Sequence, residues 1–174
     1  MRFFRRGLLV FEHSWIPQSE WQQTCDSRRV KLNCLPHETL IGLAFNKEKQ
    51  LVQITKNSLY TASIFYITLL EGPLEPSFIL NTQSCMSVQL ISTGIENSST
   101  SSEFELLDLH VRKEGIGERG LLLEALICDF KNRYDKFSIH GNFNHISDSG
   151  KISIECFTRF GFKLNNNELI YTSS

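Results

Sequence analysis

Arg112-Lys113-Glu114-Gly115-Ile116-Gly117-Glu118-Arg119-Gly120 is the stretch of this chain whose residue types and spacing point most directly to chemistry. Backbone N–H groups in a glycine loop converge on one concavity, and a helix starting directly behind it adds unpaired amides and the positive end of its dipole. A diphosphate fits such a place. A Cβ at Gly115 or Gly117 would restrict positive φ and hold phosphate oxygens away from the main chain. Arg112 and Arg119 bring charge to neutralise it. Each charge-assisted bond contributes roughly 1.5–3 kcal/mol, so a handful would hold a nucleotide at micromolar strength after association costs. The bland alternative is a tight turn with no ligand.

Gly115 to Gly120 also satisfies the dinucleotide fingerprint GxGxxG. A dinucleotide fold places that turn after its first strand and needs several more strand–helix units, yet the match ends at residue 120 of 174. No acidic residue closes the next strand-like stretch, Lys136 to Phe143, to hold a ribose, and a Walker sequence is absent. NAD is therefore not the expected ligand.

The elements around the loop must place it. Phe104 to Val111 predicts a strand leading into the glycines, and Leu122, Leu123, Ala125, Leu126, Ile127, Phe130 and Tyr134 recur at helical spacing behind them. The order is strand, glycine loop, helix. Further upstream, Gly7 to Phe11 reads as a first strand, and Ser14, Pro17 and Glu20-Trp21 as a helix start. Trp15 and Trp21 are expected to bury area there. Leu51 to Thr55 and Ser63 to Thr68 predict a hairpin turning at Lys56-Asn57-Ser58. Glu71 to Pro76 predicts a loop, Phe78 to Leu80 and Met86 to Ile91 strands, and Asn97 to Ser102 a mobile polar loop. No internal repeat is present.

Composition bounds the function classes. A chain of 174 residues with 41% apolar content is one domain's worth of core, 1–174. With 18 basic and 19 acidic residues, no net charge draws it to nucleic acid or an anionic membrane. The apolar run Gly7 to Phe11 is too short for a signal peptide, and no stretch reaches the length of a spanning helix, so a soluble, cytoplasmic protein is expected. Cys25, Cys34, Cys85, Cys128 and Cys156 are odd in number and scattered, which argues against a disulfide framework and a structural zinc. His140 and His145 lack a third ligand nearby, and no metal is expected.

Arg112-Lys113-Glu114-Gly115-Ile116-Gly117 fits [Arg/Gln]xxGx[Gly/Ala] between a strand and a helix, and here the chain resembles the GNAT superfamily of acetyl-CoA-dependent N-acetyltransferases. The likeness continues through a strand at Lys136 to His140, asparagines at Asn142 and Asn144, and a short helix ending Cys156-Phe157-Thr158-Arg159-Phe160-Gly161-Phe162, similar to the family's closing Gly-Phe. Gly161 suits a helix C′ position, with Ser147, Asp148 or Ser149 as N-cap and Leu169-Ile170-Tyr171 as last strand. The resemblance covers about Phe104 to Thr172. It implies an α+β fold: a mixed, mostly antiparallel twisted sheet of about six or seven strands flanked by helices, with a splayed central strand pair. Residues 1–103 would form an acceptor-side half and residues 104–174 a cofactor-binding half.

The resemblance further implies transfer of an acetyl group from acetyl-CoA, as co-substrate, to a primary amine by direct attack in a ternary complex. Leu109, His110 and Val111 would touch pantetheine and thioester through their main chain, and Arg112, Gly115, Ile116, Gly117, Arg119 and Gly120 would cradle the pyrophosphate. Asn142 or, by preference, Asn144 would touch the cofactor's arm. Glu105, Asp108 or His110 would stand beside the thioester as general base, with Glu105 and Asp108 preferred. Alternation places Asp108 and His110 on one face. Two departures stand out: Val111 runs straight into Arg112, and Phe157 occupies the place where many members carry a thiolate-protonating tyrosine. The alternative is a non-catalytic acyl-CoA-binding or interaction module of the same fold. The amine and acyl chain length stay open, as does oligomeric state, for which apolar strands near Ile64 and Val88 offer edge pairing into a homodimer.

Overall fold

Alternating buried and exposed side chains mark most strands of one nine-stranded sheet. In the computed structural model, which describes residues 14–59, 61–71, 83–96, 99–146 and 154–173, these are β1 (Ser14–Ile16), β2 (Glu38–Phe45), β3 (Leu51–Leu59), β4 (Ala62–Leu69), β5 (Ser84–Glu96), β6 (Ser99–His110), β7 (Lys136–Asn142), β8 (Lys163–Asn165) and β9 (Glu168–Thr172). Their order is β1-β2-β3-β4-β5-β6-β7-β9-β8. The helices are α1 (Trp21–Arg28), α2 (Glu118–Arg133), α3 (Phe143–Ile146) and α4 (Ile154–Arg159). Every neighbouring pair is antiparallel except β6 with β7. A parallel pair needs a crossover, and α2 supplies it.

The sequence thus folds as α+β with a mostly antiparallel sheet, larger than the six or seven strands expected. The additional length comes partly from β1 and β8, three residues each, too short to leave a periodic signal. Adjacent residues on β2 explain how helices come to flank both faces. Leu43 packs with Cys25 of α1, whereas Ala44 belongs to the cluster containing Leu122 and Leu126 of α2. The α2 face holds the larger core: Val52, Ile54, Phe65, Ile67, Met86, Val88, Phe104 and Leu106 lie under Leu121, Leu122, Ala125, Leu126 and Phe130. Each such aliphatic or aromatic side chain contributes about 1.5–3 kcal/mol on burial. Lys131 and Arg133 in the last turn of α2 face its negative dipole end.

At the end of α4, the Gly161 N–H bonds to the Thr158 carbonyl and the Phe162 N–H to the Phe157 carbonyl, with Gly161 at φ 90°. That is a Schellman closure, as the glycine's position predicts. Several expectations need correction. Ser14 opens β1, and the α-helix begins at Trp21. Lys56, Asn57 and Ser58 continue β3 rather than turning, because the Lys56 ammonium has a partner in Asp129 of α2, 3.1 Å away. Ser99 to Ser102 belong to β6, paired with β5 and, from Ser101, with β7. Ile64 and Val88 lie on β4 and β5, interior strands with a partner on either side, so they offer no edge. The expected strands Gly7 to Phe11 and Phe78 to Leu80, the prolines of the Glu71 to Pro76 loop and the N-cap candidates Ser147, Asp148 and Ser149 lie outside the described residues. No helix among the described residues is long and apolar enough to cross a membrane.

Burial on α2 pushes the Cys128 thiol up to about 11, aided by the Glu124 and Asp129 charges and opposed by Lys131. An unfolded thiol ionises near pH 8.5, so above that pH the unfolded chain binds fewer protons than the folded one and stability falls as pH rises toward 11. The expected loss is about 2–3 kcal/mol by pH 11. Urea midpoints of wild type and Cys128→Ala at pH 8 and pH 10.5 test it: the wild type should lose stability that the variant keeps.

Candidate functional site

The site is built on the second half of β6. Phe104, Leu106 and Leu109 are buried in the α2 core, while Glu103, Glu105, Leu107, Asp108 and His110 are exposed. The pattern breaks alternation between Leu107 and Asp108, and the register explains why. Leu106 opposes Val88 and Asp108 opposes Ser87, which leaves Leu107 without a partner on β5. This is a β-bulge, which inverts the parity of everything beyond it. In a regular strand Glu105 and Asp108 would point to opposite faces; the bulge puts them on one face.

The bulge coincides with the parting of two strands. Parallel pairing of β6 with β7 runs from Ser101↔Lys136 to Glu105↔His140 and stops, although β6 continues to His110 and β7 to Asn142. From Leu106 to His110, β6 has strand pairing only on its β5 side among the described residues. Gly141 lets the strands stay close at the fork. A Cβ there would lie 3.2 Å from Leu106 Cβ, 3.3 Å from Leu106 O and 2.7 Å from Ile146 Cδ1. Beyond Asn142 the chain turns into α3, whose Asn144 N–H bonds to Asn142 Oδ1 at 3.0 Å; the Asn144 side chain is exposed.

The loop between β6 and α2 contains two glycines in left-handed conformation, Gly115 at φ 82° and Gly117 at φ 85°. Gly117 is the N-cap of α2 and caps with no side chain. The Leu121 N–H makes a helical bond to the Gly117 carbonyl at 3.2 Å. The N–H groups of Glu118, Arg119 and Gly120 therefore have no intrahelical acceptor. Gly115 is exposed, with open space where a Cβ would project. Ile116 is buried, and its carbonyl accepts the Lys47 N–H at 3.0 Å, tying the loop to the β2–β3 turn, as does the Lys113–Glu48 ion pair.

The two arginines differ. Arg112 Nη2 lies 2.6 Å from Glu118 Oε1, and the Glu118 carboxylate is fully buried. Ser84 completes the network: its hydroxyl donates to Glu118 Oε2 and accepts the Arg112 N–H at 3.0 Å. Arg112 thus holds a carboxylate at the helix start, where the dipole also favours it. Arg119 Nη2 pairs with Glu114 of the loop at 2.7 Å, and its buried Nε has no hydrogen-bond partner. Of the charges read as phosphate neutralisers, Arg119 is the one that an exposed carboxylate alone restrains.

Arg112, Gly115, Ile116, Gly117, Arg119 and Gly120 are brought together at the β6–α2 junction. Leu109 turns its side chain into the core and leaves only main chain for a ligand, Val111 is half-buried, and His110 is exposed beside Cys85 in register. Sequence reasoning missed Cys85 and Tyr66, which continue the His110 row across the sheet. Burial raises the Cys85 thiol, with the Asp108 charge adding to it, and raises the Tyr66 phenol, so both are protonated at neutral pH. Phe157 is fully buried between Phe143 and Phe162. No protein-family model, curated protein or solved structure matches the chain.

Proposed function

We propose that the chain is an acetyl-CoA-dependent N-acetyltransferase of the GNAT kind, with a primary amine as acceptor. The observation that carries the reading is the fork: among the described residues, a single parallel pair in an otherwise antiparallel sheet, joined through a glycine loop and helix, whose pairing ends at Glu105↔His140 beside a bulge at Leu107. A pantetheine arm needs such an opening, and the β7-facing side of the β6 main chain from Leu106 to His110, which has no strand partner among the described residues, would line it. The diphosphate would lie on the amides of Gly115 to Gly120 with Arg119 beside it, after its pair with Glu114 opens.

Bound side by side, amine and thioester gain an effective concentration of about 10⁵–10⁸ M from orientation alone. Glu105 or Asp108, which share the open face, would take the proton that the attacking amine must lose, and a main-chain amide near Leu109 or Val111 would meet the developing oxyanion. The amine nitrogen bonds to the acyl carbon, the C–S bond breaks, and the thiolate leaves with its electron pair and takes a proton. Phe157 has no hydroxyl to provide one and is sealed in the core, which favours a second reading, an acyl-CoA-binding module without turnover.

Acetyl-CoA at a hundred times its dissociation constant should stabilise the protein by about 2.7 kcal/mol, or roughly 5–10 °C in Tm, and Gly117→Glu should abolish the shift. Thiol release with a panel of amines separates transferase from binding module. No shift at millimolar acetyl-CoA with the wild type overturns both.

A further inference from the structure

Phe137 and Ile139 of β7 are buried in the α2 core, so Ser138 and His140, which alternate with them, project from the opposite face of the sheet. There they join a chain of three side chains. His140 Nδ1 lies 3.0 Å from Glu168 Oε1 of β9, and His140 Nε2 lies 3.2 Å from Ser138 Oγ. An ionised carboxylate only accepts, so in the neutral imidazole the proton sits on Nδ1 and the bare Nε2 accepts the serine hydroxyl. Nucleophile, base and orienting carboxylate thus stand in sequence, each ring nitrogen facing the partner that this chemistry needs. Thr172, opposite Ser138 in register, brings a further hydroxyl to the same face as a donor for an oxyanion. Glu103, the β6 neighbour of Ser138, is held toward β5, where its carboxylate accepts the Ser92 hydroxyl at 2.9 Å.

We infer that Ser138 is a nucleophile and His140 its base, positioned by Glu168, in a centre that hydrolyses a small uncharged acyl ester. Ser138 Oγ bonds to the acyl carbon while its proton passes to His140 Nε2. The bond from that carbon to the alcohol oxygen then breaks, and the alcohol leaves with the proton. Water, giving a proton to the same nitrogen, attacks the acyl-serine; the acid departs and the serine takes the proton back. The substrate has room beside the histidine, because His140 and Glu168 line a 510 Å³ cleft, within the range of small-molecule sites. Glu103 and Glu105 stand on its wall, and no lysine or arginine does, which disfavours anionic esters and acetyl-CoA alike. The inference therefore does not rest on the transferase reading.

The test treats the full chain with diisopropyl fluorophosphate, locates the adduct by mass spectrometry and follows p-nitrophenyl acetate hydrolysis in parallel. An adduct at Ser138 is expected, and Ser138→Ala should remove both it and the hydrolysis. His140→Gln should slow labelling and hydrolysis by about 10²–10⁴-fold. Glu168→Gln, whose amide can donate to Nδ1 and so favour the wrong tautomer, should lower kcat at least about tenfold with KM unchanged, and Glu168→Asp should recover part of it. Ser138, His140 and Glu168 are half-buried or exposed, so the variants should keep wild-type circular dichroism. No adduct at Ser138, labelling equally fast in His140→Gln, or hydrolysis indifferent to Ser138→Ala overturns the inference.

Discussion

Glu118→Ala is expected to lower stability by about 3–5 kcal/mol, one of the two largest effects anticipated for this chain. The Glu118 side chain is fully buried, and the Arg112 side chain, whose guanidinium is held against it, is 20% exposed. Removing the carboxylate leaves a cation with little water and no partner, and strips Ser84 of the acceptor for its hydroxyl. The loss should fall toward the lower end, because the guanidinium can reach solvent. The control is the double replacement Arg112→Met with Glu118→Leu. Desolvating two charges offsets much of their attraction, so an apolar pair of similar volume should restore most of the stability that the single change removes. Urea midpoints with a constant slope provide the comparison. A single-variant loss under about 1 kcal/mol would mean the network at the helix start holds little.

That network was not legible from the residues. Glu118 stands at a variable position of a glycine motif, where a charge normally reads as solvated, and its burial depends on Ser84, which is 34 positions away in the chain. What could be read was local. The glycine loop, α2 and the Gly161 closure follow from short-range spacing and backbone conformation, and the structure has them where expected. Tertiary partners defeated the polar-equals-turn reading at Lys56, where Asp129 of α2 receives the ammonium, and at Ser102, which is buried between β5 and β7. The fork left one trace. Leu106-Leu107 doubles an apolar position in a strand that otherwise alternates, which is how a one-residue bulge looks in sequence. Read as plain alternation, it separates Glu105 from Asp108; read as a bulge, it joins them on the open face.

Deleting Leu107 should therefore separate folding from ligand binding. Without it, Phe104, Leu106 and Leu109 still face the core, and Glu105, Asp108 and His110 still face outward, because the shortened strand alternates without interruption. The register with β5 is also preserved on both sides of the deletion, since Leu107 pairs with nothing there. Leu107 is 42% exposed, so little buried area is lost and a cooperative fold should remain. What changes is direction. A bulge bends and twists its strand, and a regular β6 would run on beside β7, so that pairing could extend past Glu105↔His140 toward Gly141 and Asn142. Closing the fork removes the opening that a pantetheine arm would need, and acetyl-CoA affinity should fall at least about a hundredfold, equivalent to roughly 2.7 kcal/mol. Thermal shift at a fixed acetyl-CoA concentration, alongside circular dichroism of the deleted chain, measures both halves of the expectation. A folded deletion variant that keeps the wild-type shift would show that the bulge does not hold the strands apart for a ligand, and the transferase reading would lose the geometry it rests on.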